Sequence, residues 1–202
     1  MRWGRKMAMS RNTRDQASGF TVLEISVVVL LVGAVVAITT PRITDAMREY
    51  RLDMAMRQFS DLVQRVKTQA VSDNLRSGLA IDSGNRRFGL VHYLPDGTTV
   101  DRIDYVPMPQ GISFAMPDNI TAPETGAPTG AAVSFPRYGT STTVFVQNFN
   151  SRGFPIVAAG AINAVYMTNG KTYRAVTVNS VSGVRKWSWS IAHDTYGWTD
   201  TR

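Results

Sequence analysis

The sequence predicts an α+β protein in which a long N-terminal helix, membrane-spanning and kinked at a proline, packs against a C-terminal domain of antiparallel β-sheet. Three observations support this prediction. Residues 20–38 form a nearly uninterrupted apolar run. A helical repeat of apolar residues follows it and continues to about residue 74. From residue 77 onward, short β-prone runs alternate with glycine, proline and asparagine.

Residues 1–19 have the composition of a targeting segment. Five cations oppose one acid there, so the segment carries four of the seven net positive charges of the 202-residue chain. Cations beside an apolar run favour the cytoplasmic side of a membrane. We therefore expect a cytoplasmic leader over residues 1–19 and a processed protein with a net charge of only about +3.

The apolar run matches a membrane in length. As a helix, residues 20–38 span about 28 Å, close to the roughly 30 Å hydrocarbon thickness of a bilayer. Glu24 is the one carboxylate in this run, and an ionisable group there costs about 2.5–3.5 kcal/mol on insertion scales. Glu24 is therefore a candidate functional residue. Pro41 lacks a backbone donor and clashes with the preceding turn, which predicts a kink or local melting over residues 38–42.

Residues 42–76 are predicted to continue this helix as an amphipathic segment with two apolar stripes. The first stripe contains Ile43, Met47, Tyr50 and Met54, and the second contains Leu52, Met56, Phe59, Val63, Val66 and Ala70. We expect one face to pack on a core and the other to meet neighbouring subunits. A helix over residues 20–74 would be about 80 Å long, which suits a filament subunit better than a soluble monomer.

Residues 77–202 are predicted to form one β-rich domain outside the cytoplasm. The predicted strands cover residues 79–83, 87–94, 98–106, 112–116, 131–135, 142–149, 156–158, 161–167, 173–179 and 185–191. Asn169 and Gly170 form the strongest hairpin signal of the chain. We expect a long exposed loop over residues 117–130 and a loosely held polar tail over residues 192–202.

The junction Gly19-Phe20-Thr-Val-Leu-Glu24, together with Pro41 at the end of the apolar run, resembles the class III signal of type IV pilins and type II secretion pseudopilins. The resemblance implies that a prepilin peptidase cleaves after Gly19 and N-methylates Phe20. It implies that Glu24 pairs with the N-terminal amine of an adjacent subunit during assembly. A carboxylate in lipid needs such a partner, although a tolerated polar residue near the membrane edge is the alternative.

Two other interpretations of the apolar run stay open. An ordinary secretory signal needs a small-x-small site after the run, which Ala37-Ile38-Thr39 fits poorly. A plain membrane anchor has no reason to contain Glu24. The class III resemblance implies a single-pass protein of the bacterial inner membrane with a periplasmic C-terminal domain, later built into a pilus or pseudopilus. Its implied partners are other pilins or pseudopilins through the N-terminal helix, prepilin peptidase and the inner-membrane assembly platform.

The C-terminal half has a looser resemblance, to the GspH/FimT family of minor pilins and pseudopilins. It lies in Phe149-Asn-Ser-Arg-Gly-Phe-Pro155, Gly160-Ala-Ile162, Tyr173-Arg-Ala-Val-Thr-Val178 and Gly183-Val-Arg-Lys-Trp187. With the N-terminal signal, it covers the helix and roughly the last fifty residues. The implied function is that of a minor structural subunit of a type IV pilus or a type II secretion pseudopilus, and the choice between them stays open. A major, fibre-forming subunit is another hypothesis.

DNA binding on a competence pilus is the alternative function. Some members of the family resemble DNA receptors and use a C-terminal G-R-x-R pattern, which here has Val184 and Lys186 at its arginine positions. The candidate nucleic-acid-binding residues are Arg152, Lys171, Arg174, Arg185 and Lys186. Trp187 and Trp189 would share one strand face, with Arg185 expected on the other side of the pleat. The alternative is a solvated basic face over a tryptophan-lined core.

The sequence does not predict catalysis, a metal site or a cofactor. The chain has no cysteine, so it offers no thiol nucleophile, thiolate ligand or disulfide. His92 and His193 are its two histidines, and neither has the spacing of a metal-binding motif. We expect the protein to be a substrate of prepilin peptidase and not itself an enzyme.

Overall fold

The computed structural model describes residues 20–116, 122–124, 127, 130–158, 161–179, 183–192 and 195–201. Its first element is the helix α1, Val22–Ser72. The helix is continuous through Pro41, so the expected local melting over residues 38–42 is wrong, and a bend at Pro41 stays a prediction. A proline inside a helix removes only its own hydrogen bond, and the flanking turns keep theirs. The chain divides into two compact units between Ile43 and Thr44.

The second half of α1 buries one of its two predicted stripes. All six residues predicted for the second stripe, together with Ala55 and Leu62, are buried there. The first stripe remains at the surface, since Ile43, Met47 and Tyr50 are each exposed by about half or more. The α-helical periodicity of about 3.6 residues per turn places these two stripes on different faces of α1. The prediction of a core-facing stripe is confirmed.

Within the described part of the chain, nine antiparallel strands in two sheets follow the helix. They are β1 (Ser77–Asp82), β2 (Arg87–Tyr93), β3 (Val100–Pro107), β4 (Ser113–Phe114), β5 (Val144–Phe149), β6 (Ile162–Thr168), β7 (Tyr173–Asn179), β8 (Val184–Ala192) and β9 (Thr195–Asp200). The first sheet has the order β3-β2-β1-β5, and the second has the order β4-β6-β7-β8-β9. The fold class is therefore α+β, with one long N-terminal helix and an antiparallel β domain.

The main core lies between the helix and both sheets. Phe59 of α1 meets Phe88 of β2 edge to face, with ring centroids 5.5 Å apart. The same cluster includes Phe149 of β5 and Val176 of β7, which are completely buried. Burying an aliphatic or aromatic side chain contributes about 1.5–3 kcal/mol, so this shared cluster fixes the helix to both sheets.

The hairpin between β6 and β7 confirms the Asn169-Gly170 prediction. The two strands pair from Thr168 with Tyr173 to Ile162 with Asn179. Gly170 has φ of 88°, a left-handed conformation that glycine adopts without a steric cost. Two of the predicted strands do not form within the described residues. Residues 131–135 contribute only a bridge from Val133 to Val165. Residues 156–158 form no strand, although the N–H of Ile156 donates to the carbonyl of Asn148 in β5, at 2.7 Å.

The polar tail is the clearest correction to the sequence analysis. Within residues 192–202, which were expected to be loose, Thr195–Asp200 forms strand β9 along β8. Trp198 packs against Trp189 at 5.3 Å and against Tyr166 at 5.7 Å between ring centroids. The aromatic burial stabilises the edge strand, although most tail residues are polar.

The loop predicted over residues 117–130 is partly packed and not fully exposed. Residues 117–121, 125–126 and 128–129 lie outside the described part of the chain. Ala127 is buried and Ala122 is half-buried against the outer face of the second sheet. That face contains Tyr166 and Trp187, whose apolar surface is covered by this segment. Burial of Tyr166 raises the pKa of its phenol to about 12.

Candidate functional site

The N-terminal half of α1 is an exposed apolar surface. Its large apolar side chains from Val22 to Ile38 are all exposed by half or more, and Phe20 is 76% exposed. By length and composition the helix is able to cross a membrane. A contiguous exposed apolar surface of this extent is typical of sites that meet a membrane or another protein.

Hydroxyl side chains in the N-terminal part of α1 donate hydrogen bonds to the backbone of the helix. The hydroxyl of Ser26 donates to the carbonyl of Val22, at 2.7 Å. The hydroxyls of Thr39 and Thr40 donate in the same way to carbonyls four residues earlier. These bonds reduce the cost of placing a hydroxyl in lipid, because no water is needed to satisfy it. The three residues are therefore compatible with a membrane-spanning helix.

Glu24 lies in the first turn of α1. Its backbone N–H donates to the hydroxyl of Thr21, at 3.2 Å, so Thr21 is the N-cap residue. The sequence Thr-x-x-Glu from Thr21 to Glu24 is also the signal of a capping box. A carboxylate at a helix N-terminus also interacts favourably with the helix dipole. Gly19, the predicted cleavage residue, lies outside the described residues, and Phe20 is the first residue described.

Two of the five candidate DNA-binding cations face carboxylates of the helix. Asp45, Glu49 and Asp53 follow one another at a spacing of four residues along α1. Lys171 Nζ lies 2.7 Å from both carboxylate oxygens of Asp45. Arg174 reaches Glu49 at 3.1 Å and Asp53 at 3.4 Å. The hydrogen bond from Lys171 lowers the pKa of Asp45. These contacts connect the helix to the hairpin of β6 and β7.

Arg185 and Lys186 lie on opposite faces of β8. Arg185 is on the outer face, where its Nη1 lies 3.4 Å from Glu124 Oε1. Arg185 shares this face with Trp187, since residues two apart in a strand point the same way, so its expected position across the pleat from the tryptophans is wrong. Lys186 is on the helix side, in a cleft of about 220 Å³ that also contains Asp53 and Arg174.

Arg152 lies apart from the other four cations. It is exposed in the turn after β5 and lines a cleft at the C-terminal end of α1, beside Lys67. Of the five candidates, the structure thus brings Arg174 and Lys186 into one cleft. Three of the five pair with carboxylates, which removes much of the positive field that nucleic-acid binding needs.

Comparisons with protein-family models, with curated proteins and with solved structures give no match for this chain. The arrangement of these residues is therefore the basis for inferring a function. It consists of an apolar half-helix with an exposed surface, an acid in the first turn of that helix, and a β domain held to the second half of the helix by a core and by ion pairs.

Proposed function

We propose that this protein is a structural subunit of a type IV pilus or a type II secretion pseudopilus, of the minor pilin or pseudopilin kind. The observation that carries the proposal is the exposed apolar half of α1, whose helix continues into a half that packs one face on the β domain. An anchor alone would need only the apolar part. A filament subunit needs in addition a folded domain on the same helix.

In the proposed assembly, the membrane and later the neighbouring subunits cover this surface. Prepilin peptidase cleaves between Gly19 and Phe20, and methylates the new N-terminal amine. Glu24 then pairs with the amine of Phe20 in an adjacent subunit, which offsets the cost of a carboxylate among apolar helices. The inner-membrane assembly platform adds the subunit to the filament.

Processing in cells tests the proposal. The full chain is produced with a prepilin peptidase, and the mature N-terminus is determined by mass spectrometry. We expect a protein that begins at N-methylated Phe20, and no cleavage in Gly19→Val. Gly33→Ala is a matched control in the apolar run, because an added methyl group there meets no atom within 4 Å. Cleavage after the apolar run would indicate a secretory signal, and an uncleaved chain would indicate a plain anchor.

Assembly is tested separately with Glu24→Gln, which keeps the size of the side chain but removes its charge. We expect this variant to be cleaved normally and to be strongly depleted from sheared filaments or from cross-linked pseudopilus complexes. Equal incorporation of the variant and the unchanged protein would contradict the proposed pairing with the amine of Phe20. The amount of protein in sheared filaments also separates a minor from a major subunit.

The ion pairs favour this structural function over DNA capture. Lys171, Arg174 and Arg185 each face a carboxylate of the same chain. Arg185 and Lys186 point to opposite faces of β8, so they do not form one continuous basic surface. A phosphate backbone is bound by cations that lie along one surface.

A further inference from the structure

The first sheet is covered at one edge and open at the other. At the β5 edge, the N–H of Val146 donates to the carbonyl of Pro136 at 2.8 Å, and the N–H of Tyr138 donates to the carbonyl of Val144 at 2.9 Å. At the other edge, β3 pairs with β2 and with no other described strand. A strand edge without a neighbour presents backbone donors and acceptors to which another chain is able to pair.

The open backbone groups of β3 belong to Ile103 and Tyr105. The N–H of Met108 donates to the carbonyl of Arg86 in the adjacent chain segment, at 3.0 Å. Hydrogen-bonded positions alternate along an antiparallel strand, so the backbone groups of Asp104 also point to β2. Those of Ile103 and Tyr105 point away from β2, to the open side of the sheet.

This open part of β3 is short. The register of β2 and β3 shifts between His92 and Tyr93, which ends the regular pairing at one end. At the other end, Pro107 has no N–H to donate. The edge therefore offers one N–H and one C=O from each of Ile103 and Tyr105, which suits an added strand of about five residues.

A groove lies between this edge and α1. Its volume is about 180 Å³, and the residues that line it, which define what we call the edge groove, are Gln58, Asp61, Leu62, Arg65, Phe88 and Val106. Val106 belongs to β3 itself and is 40% exposed. Opposite residues of paired strands point to the same face of a sheet. The side chain that an added strand places opposite Val106 would therefore enter the edge groove.

The edge groove contains a buried acceptor without a donor. No described residue donates a hydrogen bond to Oε1 of Gln58, which is buried. A buried acceptor left without a donor costs about 1–3 kcal/mol. Leu62 and Phe88 give the same groove apolar surface. An aromatic side chain with a donor at its tip, as in tyrosine or tryptophan, would match both features.

Asp104 gives the open edge a preference for a cation. Its side chain lies on the same face of β3 as that of Val106, because the two residues are two positions apart. Contacts with His92 at 2.8 Å and with Arg102 at 3.3 Å leave the Asp104 side chain 55% exposed. A lysine or arginine opposite Asp104 in an added strand would be a favourable cross-strand pair.

The same residue disfavours pairing between two copies of β3. In the antiparallel register that joins Ile103 of one copy to Tyr105 of the other, the two Asp104 carboxylates would lie directly opposite each other. Like charges at opposite positions destabilise a sheet. The open edge therefore fits a strand of a different protein better than a second copy of this chain.

We propose that β3 binds an antiparallel strand of a partner protein that contains tyrosine or tryptophan, then any residue, then lysine or arginine. The aromatic side chain lies opposite Val106, enters the edge groove and donates to Gln58. The cation lies opposite Asp104. Main-chain hydrogen bonds to Ile103 and Tyr105 hold the strand in place. The inference goes beyond the proposed filament function and does not depend on it.

A synthetic peptide tests the proposal. The probe is fluorescently labelled Thr-Val-Tyr-Val-Lys-Val-Thr with blocked ends, and fluorescence anisotropy measures its binding to the full chain in detergent micelles. We expect saturable binding, and a dissociation constant about five- to tenfold higher when phenylalanine replaces the tyrosine. Gln58→Leu should bind both peptides alike. Gln64→Leu is the matched control on α1, since Gln64 is exposed and does not line the edge groove, and this variant should keep the preference for tyrosine.

Main-chain pairing is tested on the peptide, so that the protein stays unchanged. N-methylation of the valine between tyrosine and lysine removes the N–H that faces the carbonyl of Tyr105, and should weaken binding by about tenfold or more. N-methylation of the lysine should have little effect, because its N–H points away from β3. A peptide with the tyrosine and the lysine exchanged should bind weakly.

The charge pair is tested with Asp104→Lys. This variant should bind the lysine peptide about fivefold more weakly, and a peptide with glutamate in place of lysine should restore binding, which also shows that the variant is folded. The proposal is overturned if the tyrosine peptide does not bind, if the two N-methylated peptides bind alike, if Gln58→Leu keeps the preference for tyrosine, if the exchanged peptide binds equally well, or if the glutamate peptide fails to bind Asp104→Lys. A dimer of the chain that dissociates in Tyr105→Pro would assign the edge to a second copy and would also overturn it.

Discussion

Arg174 of β7 contacts Asp53 of α1 across the interface between the sheet and the helix, with Arg174 Nε 3.4 Å from Asp53 Oδ1. The guanidinium also reaches Glu49 at 3.1 Å and donates to the hydroxyl of Ser188. The Arg174 side chain is only 14% exposed, whereas both carboxylates are about half exposed. Arg174 therefore acts as a largely covered cation that contacts two surface acids of the helix.

Replacing Arg174 with methionine should destabilise the β domain by about 1–2 kcal/mol, because two carboxylates and a hydroxyl lose their common donor. Lys171→Met is the matched control. Its side chain is more than half exposed, so loss of the ion pair with Asp45 should cost less than about 1 kcal/mol. Urea unfolding of the full chain in detergent, followed by near-UV circular dichroism, measures both. Equal losses in the free energy of unfolding would contradict the conclusion that Arg174 contributes more to stability than Lys171.

Trp198 should stabilise the tail strand that the sequence analysis did not predict. Trp198→Ala removes ring contacts with Tyr166 and Trp189 and should cost about 2–4 kcal/mol. Trp198→Phe keeps an aromatic ring and should cost less. Amide hydrogen exchange over residues 195–200 and thermal unfolding check these expectations. An alanine variant with unchanged protection of β9 would show that backbone pairing alone holds the strand.

Local patterns explain which parts of the fold could be predicted. The stripe that includes Phe59 was found because helical periodicity is a property of nearby residues. The hairpin at Asn169-Gly170 was found because its turn chemistry lies in two adjacent residues. Strand β9 was missed because its Trp198 packs partly against Tyr166, which is distant in sequence.

Contacts between residues that are distant in sequence also limited the prediction of the candidate site. Its acids Asp45, Glu49 and Asp53 have a visible helical spacing, but their cations lie more than a hundred residues later in the chain. Sequence alone therefore presented Lys171 and Arg174 as free for DNA. Only the packing of the hairpin on the helix brings each cation to a carboxylate.

Asp96, in the turn between β2 and β3, should make the folding stability of the domain depend on pH in the acid range. Its carboxylate accepts hydrogen bonds from the hydroxyl and backbone N–H of Thr99 and from the N–H of Thr98, which lower its pKa from 3.8 to about 2. A depressed folded-state pKa stabilises the fold above the unfolded value. That contribution is lost as pH falls from about 4 to about 2.

The Asp96 carboxyl resonance measured by NMR should titrate near pH 2 in the folded chain. Asp96→Asn should remove its part of the pH dependence of stability in the same interval. Asp101→Asn, in neighbouring β3, is the control, because the side chain of Asp101 accepts no hydrogen bond from another described residue. A titration of Asp96 near its ordinary value would show that the Thr98 and Thr99 bonds do not persist in solution.

A measurement of DNA affinity can distinguish DNA capture from a purely structural function in a filament. We expect the full chain in detergent to bind duplex DNA only weakly, because Arg185 faces Glu124 and Lys186 points to the opposite side of β8. Arg185→Ala/Lys186→Ala should therefore change neither the affinity nor its dependence on salt between about 0.05 and 0.2 M. Fluorescence anisotropy with labelled DNA measures both quantities. Tight binding that weakens steeply with salt and is lost in the double variant would instead identify a DNA-capturing subunit, in which these two cations act on the phosphate backbone despite their separation in the strand.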